Sequence, residues 1–334
     1  MRRLTGPLAL VTALAAGLAI GCSAALAQES RRGPLAALTK LGKLNPPPDA
    51  RIVFSPVRDS KIEWAAFVQA TDRYAHGVLG DAIEASGIAV QLRGNELVSV
   101  QLNRDVYEDI DPRLVQLDAD RDPGLEIVVL QSKPSGGGSV AVYGLLENDD
   151  GTHRLSRLAQ TPYIGTPNRW LNVAGIADYD GDGRMEIAVV ETPHIGGELQ
   201  FWRYITGDDM LASRLDLAGA RRGFSNHAIG SRDLALSATL DWNGDGLPDL
   251  VVPTANRKGL KVVTLADGDV EELGSFDLGA EVAGNFKAGP RVEVPLKNGS
   301  TFALPSYAKP KRYPVPKSGH ETRGRDEGHL LLNR

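Results

Sequence analysis

The stretch "DYDGDGRMEIAVV", Asp178 to Val190, places three aspartates and two glycines in six residues and then runs into the apolar segment "IAVV". Two other stretches align with it without gaps: "DADRDPGLEIVVL" (Asp118 to Leu130) and "DWNGDGLPDLVVP" (Asp241 to Pro253). Their first aspartates stand 60 positions before and 63 positions after Asp178, so the chain carries an internal repeat. A weaker echo, "NFKAGPRVEVPL" (Asn285 to Leu296), aligns Glu293 with Glu126, Glu186 and Asp249 but lacks the earlier carboxylates. Upstream, Lys61 to Asn103 holds "EWAAFVQ", "GIAVQL" and "ELVSVQL", enough for one more unit without an acidic loop.

Between the acidic loops lie short apolar or alternating runs such as "SVAVYGLL", "LQFWRYI" and "LKVVTL", bounded by Gly, Asp, Asn and Pro. No 3.6-residue period persists, which predicts an all-β region. Units of this length hold about four short strands, and stacking them buries faces that no single unit can cover. The 258 residues from Ala50 to Tyr307, in units of about 50 to 60 residues, predict a β-propeller of about five blades, with six or seven as alternatives. A β-sandwich is the main rival, and the regular return of one loop-strand signature argues against it.

Within each repeat, oxygen-bearing side chains fall at positions 1, 3, 5 and 9: Asp178, Asp180, Asp182 and Glu186, then Asp241, Asn243, Asp245 and Asp249. Alternation on a tight turn lets the first three converge. Position 7 (Arg184, Leu247) offers a carbonyl, and position 9 closes the shell. A set of oxygens without nitrogen or sulfur suits a hard cation, hence structural Ca²⁺. Glycines at positions 4 and 6 permit the positive φ that such a curl needs. An EF-hand would need an acid at position 12, where Val129, Val189 and Val252 stand, so that motif is excluded. The alternative is an acidic turn whose aspartates cap their own backbone.

The pattern resembles the FG-GAP/VCBS repeat family, which includes the calcium-binding blades of integrin alpha-subunit N-terminal propellers and many exported bacterial proteins. The resemblance implies a propeller with calcium in its hairpin loops and no single activity. The first copy departs from the pattern: Arg121 and Pro123 replace the two glycines. Proline cannot take a positive φ. That puts Asp118, Asp120, Asp122 and Glu126 in doubt as ligands.

The chain has 334 residues, 42% of them hydrophobic, which suits a globular protein. Its start reads as an export signal over residues 1–27: a basic Arg2-Arg3 head, an apolar run from Leu8 to Ile20, and Ala25-Leu26-Ala27 at the cleavage position. A retained anchor is the alternative, disfavoured by the shortness of that run, and no transmembrane segment is expected. Cys22, in "AIGC", is the one cysteine; lipidation there would make the protein an outer-membrane lipoprotein instead of a periplasmic or extracellular one. Disulfides are excluded. Loss of the signal removes two arginines and no acid, taking formal charge from −5 to −7, so nucleic acid is not an expected partner. Residues 28–50 read as a Pro-rich linker, 51–307 as the propeller, and 308–334 as a basic, disordered tail.

If the strand entering each loop is the inner one of its blade, Arg169 and Arg232, each nine positions before the first Asp, share the opposite mouth. His194, Asn226 and His227 join them, with Arg73 and His76 as a further basic element. Such a rim suits a small anion, a glycan or a protein ligand. The rival reading pairs the arginines with nearby acids and satisfies the histidines with loop carbonyls. Trp170 and Trp202 are expected to pack between blades sooner than to stack on a sugar. No nucleophile elbow, zinc motif or phosphate loop is present, so a binding or interaction module is expected. The alternatives are a propeller-fold glycoside hydrolase with paired channel acids, or a lectin-like lipoprotein.

Overall fold

The computed structural model describes residues 32–33, 44–118, 124–289 and 291–307. The export signal, Cys22, most of the linker, the loop residues Asp120, Arg121, Asp122 and Pro123, and the basic tail lie outside the described residues.

The described residues form an all-β structure of antiparallel sheets, with one 3-10 turn at Met210–Ala212 and no α-helix among them. Four meanders follow one another. The first comprises β2 (Ile52–Phe54), β3 (Ile62–Thr71), β4 (Glu84–Leu92) and β5 (Leu97–Gln101). The second comprises β7 (Arg113–Val115), β8 (Glu126–Lys133), β9 (Gly137–Glu147) and β10 (His153–Gln160). A two-residue strand, β6 (Val106–Tyr107), pairs with both β4 and β8 and merges these meanders into one ten-stranded sheet, whose far edge is β1 (Arg32–Gly33) on β2. The third is β11 (Leu171–Ala177), β12 (Glu186–Glu191), β13 (Glu198–Ile205) and β14 (Arg214–Arg222). The fourth is β15 (Ala238–Leu240), β16 (Asp249–Pro253), β17 (Gly259–Ala266) and β18 (Asp269–Asp277), and a two-stranded sheet, β19 (Glu293–Pro295) with β20 (Thr301–Ala303), follows.

The strands leaving the acidic loops are buried along all but their last residue or throughout, so their cores read as unbroken apolar runs instead of alternating ones. Both of their faces are covered. Successive side chains on a strand point to opposite sides. Ile187 and Val189 therefore join Val128, Leu130 and Val140 in one core, while Ala188 and Val190 join Leu250, Val252 and Val263 in the next. The same division sends Ile127 and Val129 toward Ile88 and Val90, and Val251 toward Val294 and Leu296. Successive meanders thus share cores, and the fourth shares one with the two-stranded sheet that follows it. A fully buried Val or Ile stabilises by about 1.5–3 kcal/mol relative to exposure, so the shared cores dominate the packing.

The connectors stitch neighbouring meanders by backbone pairing at one common end. Tyr107 pairs with Ala85 of β4 and Gln131 of β8. The Ile164 amide donates to the Gly138 carbonyl at the start of β9, and the Trp170 carbonyl accepts from Thr192 just past β12. The Phe224 amide donates to the Gly197 carbonyl beside β13, and Phe224 bridges Thr254 just past β16. All three stitches lie at the end away from the acidic loops. Toward those loops neighbouring meanders meet through side chains, as where Tyr179 Oη bonds Thr239 Oγ1 at 2.8 Å.

The linker reading needs correction at its C-terminal part. Leu44 and Ala50 are buried, the Leu44 and Asn45 carbonyls accept from the Gln69 and Ala70 amides at 2.8 and 2.7 Å, and Asp49 pairs with Arg232. Three buried side chains, Leu44, Pro47 and Ala50, and main-chain bonds to β3 dock a stretch whose prolines suggested a spacer.

Candidate functional site

The acidic loops join β11 to β12 and β15 to β16, the first hairpin of the third and fourth meanders. All four loop glycines take positive φ, 74° and 86° at Gly181 and Gly183, 76° and 95° at Gly244 and Gly246, as the repeat spacing requires. Position 1 organises each turn: Asp178 accepts from the Gly181 and Gly183 amides at 2.9 and 3.0 Å, and Asp241 from Gly244, Asp245 and Gly246 at 2.7, 3.1 and 3.0 Å. Asp182 and Asp245 receive the Arg184 and Leu247 amides, both at 2.9 Å. Part of the carboxylate content therefore serves as backbone caps.

Position 9 is a buried carboxylate in all three copies. Glu126, Glu186 and Asp249 are 4%, 0% and 0% exposed, whereas Glu293 in the weak echo lies at the surface. Burying a carboxylate is costly unless its oxygens are satisfied. Glu186 Oε2 accepts from the Tyr179 amide at 2.9 Å, and Asp249 Oδ2 from Trp242 and Asn243 at 2.9 and 3.2 Å. In the first copy Glu126 Oε2 takes the Leu117 amide at 2.8 Å, two positions earlier in the loop register. Its Asp118 is described; its Asp120 and Asp122 are not.

The two described loops differ in what meets the remaining oxygens. Asp178, Asp180 and Glu186 each bring one carboxylate oxygen within 4.8 Å of the others, close enough to hold a metal ion. Arg203 already lies among these carboxylates. Its Nε donates to Glu186 Oε1 at 2.7 Å and lies 3.4 Å from Asp182 Oδ2, and its Nη2 pairs with Asp180. Burial pushes the Glu186 carboxyl up to about 7 against the pull of that guanidinium. In the third loop Asp249 Oδ1 is buried with no hydrogen-bond partner, and burial pushes this carboxyl up to about 6. Asn243 contributes an amide: its Nδ2 donates to Asp245 Oδ2 at 2.7 Å. An all-oxygen loop with one buried, unpartnered carboxylate oxygen fits a hard cation.

At the other end the residues expected at the mouth are only partly gathered. His194 and His227 meet, Nε2 to Nδ1 at 2.8 Å, with Trp170 stacked on His194 at 6.2 Å and tilted against His227 at 4.7 Å. The Ser231 carbonyl lies 2.9 Å from His227 Nε2, so that nitrogen carries the proton and His194 Nε2–H donates to His227 Nδ1. Burial pulls both imidazoles down to about 4, which leaves them neutral at pH 7. Asn226 is fully buried and clasps Asn172 across the third meander, a structural role. Arg169 bonds the Asn168 carbonyl, while Arg232 is held by Asp49, Asp81 and the Leu79 carbonyl. Arg73 bonds the Leu102 and Asn103 carbonyls and His76 pairs with Glu108 at 2.6 Å, so these cations too have partners. Trp170 and Trp202 both pack into the core between the second and third meanders.

The sequence reading missed two features here. Glu84, Glu108 and Asp109 form a buried acidic group below this mouth; burial, then Glu108, Asp81 and Asp109, pushes Glu84 up to about 9. Glu84 opens on a cavity of about 10 Å³ lined also by Asp49, Asp81, Asp109 and Arg232, room for one water. The acidic run "YEDIDP" ahead of β7 was the available signal. Arg203 was the second omission. Its signal was a charge inside the apolar run "LQFWRYI".

No protein-family model matches the chain, and no curated protein matches it. Among solved structures, one described as a putative 6-phosphogluconolactonase from Bacteroides uniformis is similar over 76% of this chain and 81% of its own, at 12% identity and a TM-score of 0.31. A likeness of that strength assigns neither family nor activity.

Proposed function

We propose that the protein is an exported calcium-binding β-propeller of FG-GAP/VCBS type that works as a binding or interaction module. The observation that carries the reading is Asp249 Oδ1, a fully buried carboxylate oxygen without a partner at position 9 of an all-oxygen loop. A bound ion would satisfy it, with Asp241, Asn243, Asp245 and the Leu247 carbonyl as the other donors. The ion's role is structural, pinning the hairpin of a fold that has no disulfide to rely on. Core sharing between successive meanders is the packing that propeller blades use, and it supports that architecture over a two-sheet sandwich.

Ligand capture belongs at the opposite mouth, beside the neutral His194–His227 pair and Arg169. The glycoside hydrolase alternative finds neighbouring buried acids in Glu84 and Glu108, but the cavity beside Glu84 has room for one water and not for a sugar ring. Export and lipidation at Cys22 rest on the N-terminal sequence. Among the described residues no helix is long and apolar enough to cross a membrane.

The test is thermal melting with calcium and with EDTA, followed by a thermal-shift screen of glycans, peptides and small anions. Extracellular modules bind calcium with Kd of about 10⁻⁴ to 10⁻³ M, so calcium in the millimolar range is expected to raise Tm. Identical melting with and without calcium would sink the metal reading, and turnover of a glycoside would replace the binding-module reading.

A further inference from the structure

The second and third acidic loops have nearly the same sequence and the same backbone curl, yet among the described residues only the second has a side-chain cation lying between its carboxylates. Asp178, Asp180 and Glu186 converge within 4.8 Å, and the guanidinium of Arg203 accounts for the gathering: it touches Glu186 and Asp180 and approaches Asp182. In the third loop position 3 is Asn243, no side-chain cation pairs with Asp241, Asp245 or Asp249 among the described residues, and Asp249 Oδ1 is left without a partner.

Strand register explains the difference. On the β12–β13 ladder Glu186 faces Arg203. On the β16–β17 ladder Leu250 faces Val263, and one step further along the same register brings Thr264 opposite Asp249. A threonine is too short to reach the loop and carries no charge. Arg203 is anchored on the neighbouring strand, with its side chain 22% exposed, and its planar fork meets several carboxylates at once.

We infer that Arg203 is a built-in cation of the second acidic loop, which locks that loop without metal and leaves the ion dependence of the two described loops to the third, where Thr264 holds the same register position. A divalent ion and the guanidinium would occupy the same oxygens and repel each other, so the two are mutually exclusive. The part concerning the third loop rests on the calcium reading above; the part concerning Arg203 does not.

The test counts calcium bound per chain by equilibrium dialysis at about 10 mM calcium, roughly tenfold or more above the Kd typical of such modules. Differences between variants are read, so that an ion in the first loop cancels. Arg203→Thr is expected to bind one more calcium than the parent and to gain a calcium-dependent rise in Tm; no added ion overturns the proposal. Thr264→Arg, the reciprocal change, is expected to bind one fewer. Should Arg203→Thr fail to fold, Asp178→Asn in the otherwise unchanged protein decides: an unchanged count supports the proposal, and loss of one ion overturns it. If the parent binds no calcium while Arg203→Thr binds one, the calcium reading of the third loop fails and the role of Arg203 stands. Asp249→Asn, expected to lose one ion, keeps the two claims separate.

Discussion

Arg232 reaches back 151 positions along the chain to Asp81, with Nη1 2.9 Å from Asp81 Oδ2 and 3.1 Å from the Leu79 carbonyl, while Nη2 pairs with Asp49. The contact ties the approach to the fourth meander to the first. Its charged atoms are over a third exposed, which limits an ion pair to about 1 kcal/mol or less. With the lost carbonyl bond, Arg232→Ala is expected to cost about 1–2 kcal/mol and to lower Tm by a few degrees in calorimetry. Arg232→Lys restores only part, because one ammonium cannot present a fork to three acceptors. An unchanged Tm in the alanine variant would show that the tie is inert.

Asp249 and Asp245 lie four residues apart in one loop and should behave differently when cut to alanine. Asp249 is fully buried and holds the Trp242 and Asn243 amides; Asp245 is exposed. In EDTA, where no ion contributes, Asp249→Ala is expected to cost roughly 2–4 kcal/mol and Asp245→Ala less than about 1 kcal/mol. Equal losses in denaturant titrations would place the closing role elsewhere.

The paired histidines give a signed pH response. Burial holds His194 and His227 near 4, below the ordinary 6.5, so between those values the unfolded chain binds protons that the folded one does not. Their contribution to stability is complete above pH 6.5 and is lost as pH falls through about 4. Melting followed from pH 7 to 4 should fall more steeply in the parent than in a His194→Gln, His227→Gln variant, and parallel curves would rule the pair out as the cause.

Glu84 acts in the opposite sense. Its carboxyl, raised from 4.5 to about 9, keeps a proton in the folded state that the unfolded chain releases, so stability drops as pH rises through that window. Glu84→Gln mimics the protonated form. It is expected to melt above the parent at pH 8–9, with the gap closing toward pH 4.5; a gap independent of pH would mean that Glu84 is ionised in the fold.

Gly175 sits at the bulge of β11, where an added Cβ would lie 2.2 Å from Tyr179 Oη and 2.5 Å from Thr239 Oγ1. Gly175→Ala must displace the hydrogen bond between those hydroxyls, at a cost of about 1–3 kcal/mol. If the variant also carries Thr239→Ala, part of that loss should return, which a double-mutant cycle measures directly.

Much of the fold was legible because the repeat imposes it. Once Asp118, Asp178 and Asp241 were aligned, Glu126, Glu186 and Asp249 fell at strand starts, and the glycines of the two intact loops announced their positive φ. The mouth was less legible, since the partner of a surface charge is set by which loops meet. Nothing local to Arg232 announces Asp49 or Asp81. Arg203 was missed for a related reason: its importance lies in a cross-strand register, and 17 residues separate it from the acid it faces. The docking of Leu44 was hidden by composition, because "NPPPD" signals a spacer while Leu44 and Ala50 on either side of it, and Pro47 within it, are buried.

The stitches at Tyr107, Trp170 and Phe224 rivet neighbouring meanders by their main chains at one end, while the described contacts toward the acidic loops involve side chains, as in Tyr179–Thr239. A fan fastened this way breathes unevenly. Amides near Glu126, Glu186 and Asp249 should exchange with solvent sooner than those near Gln131, Thr192 and Thr254, and in the third meander the pairing of Arg203 with Asp180 and Glu186 steadies the end that the backbone leaves loose.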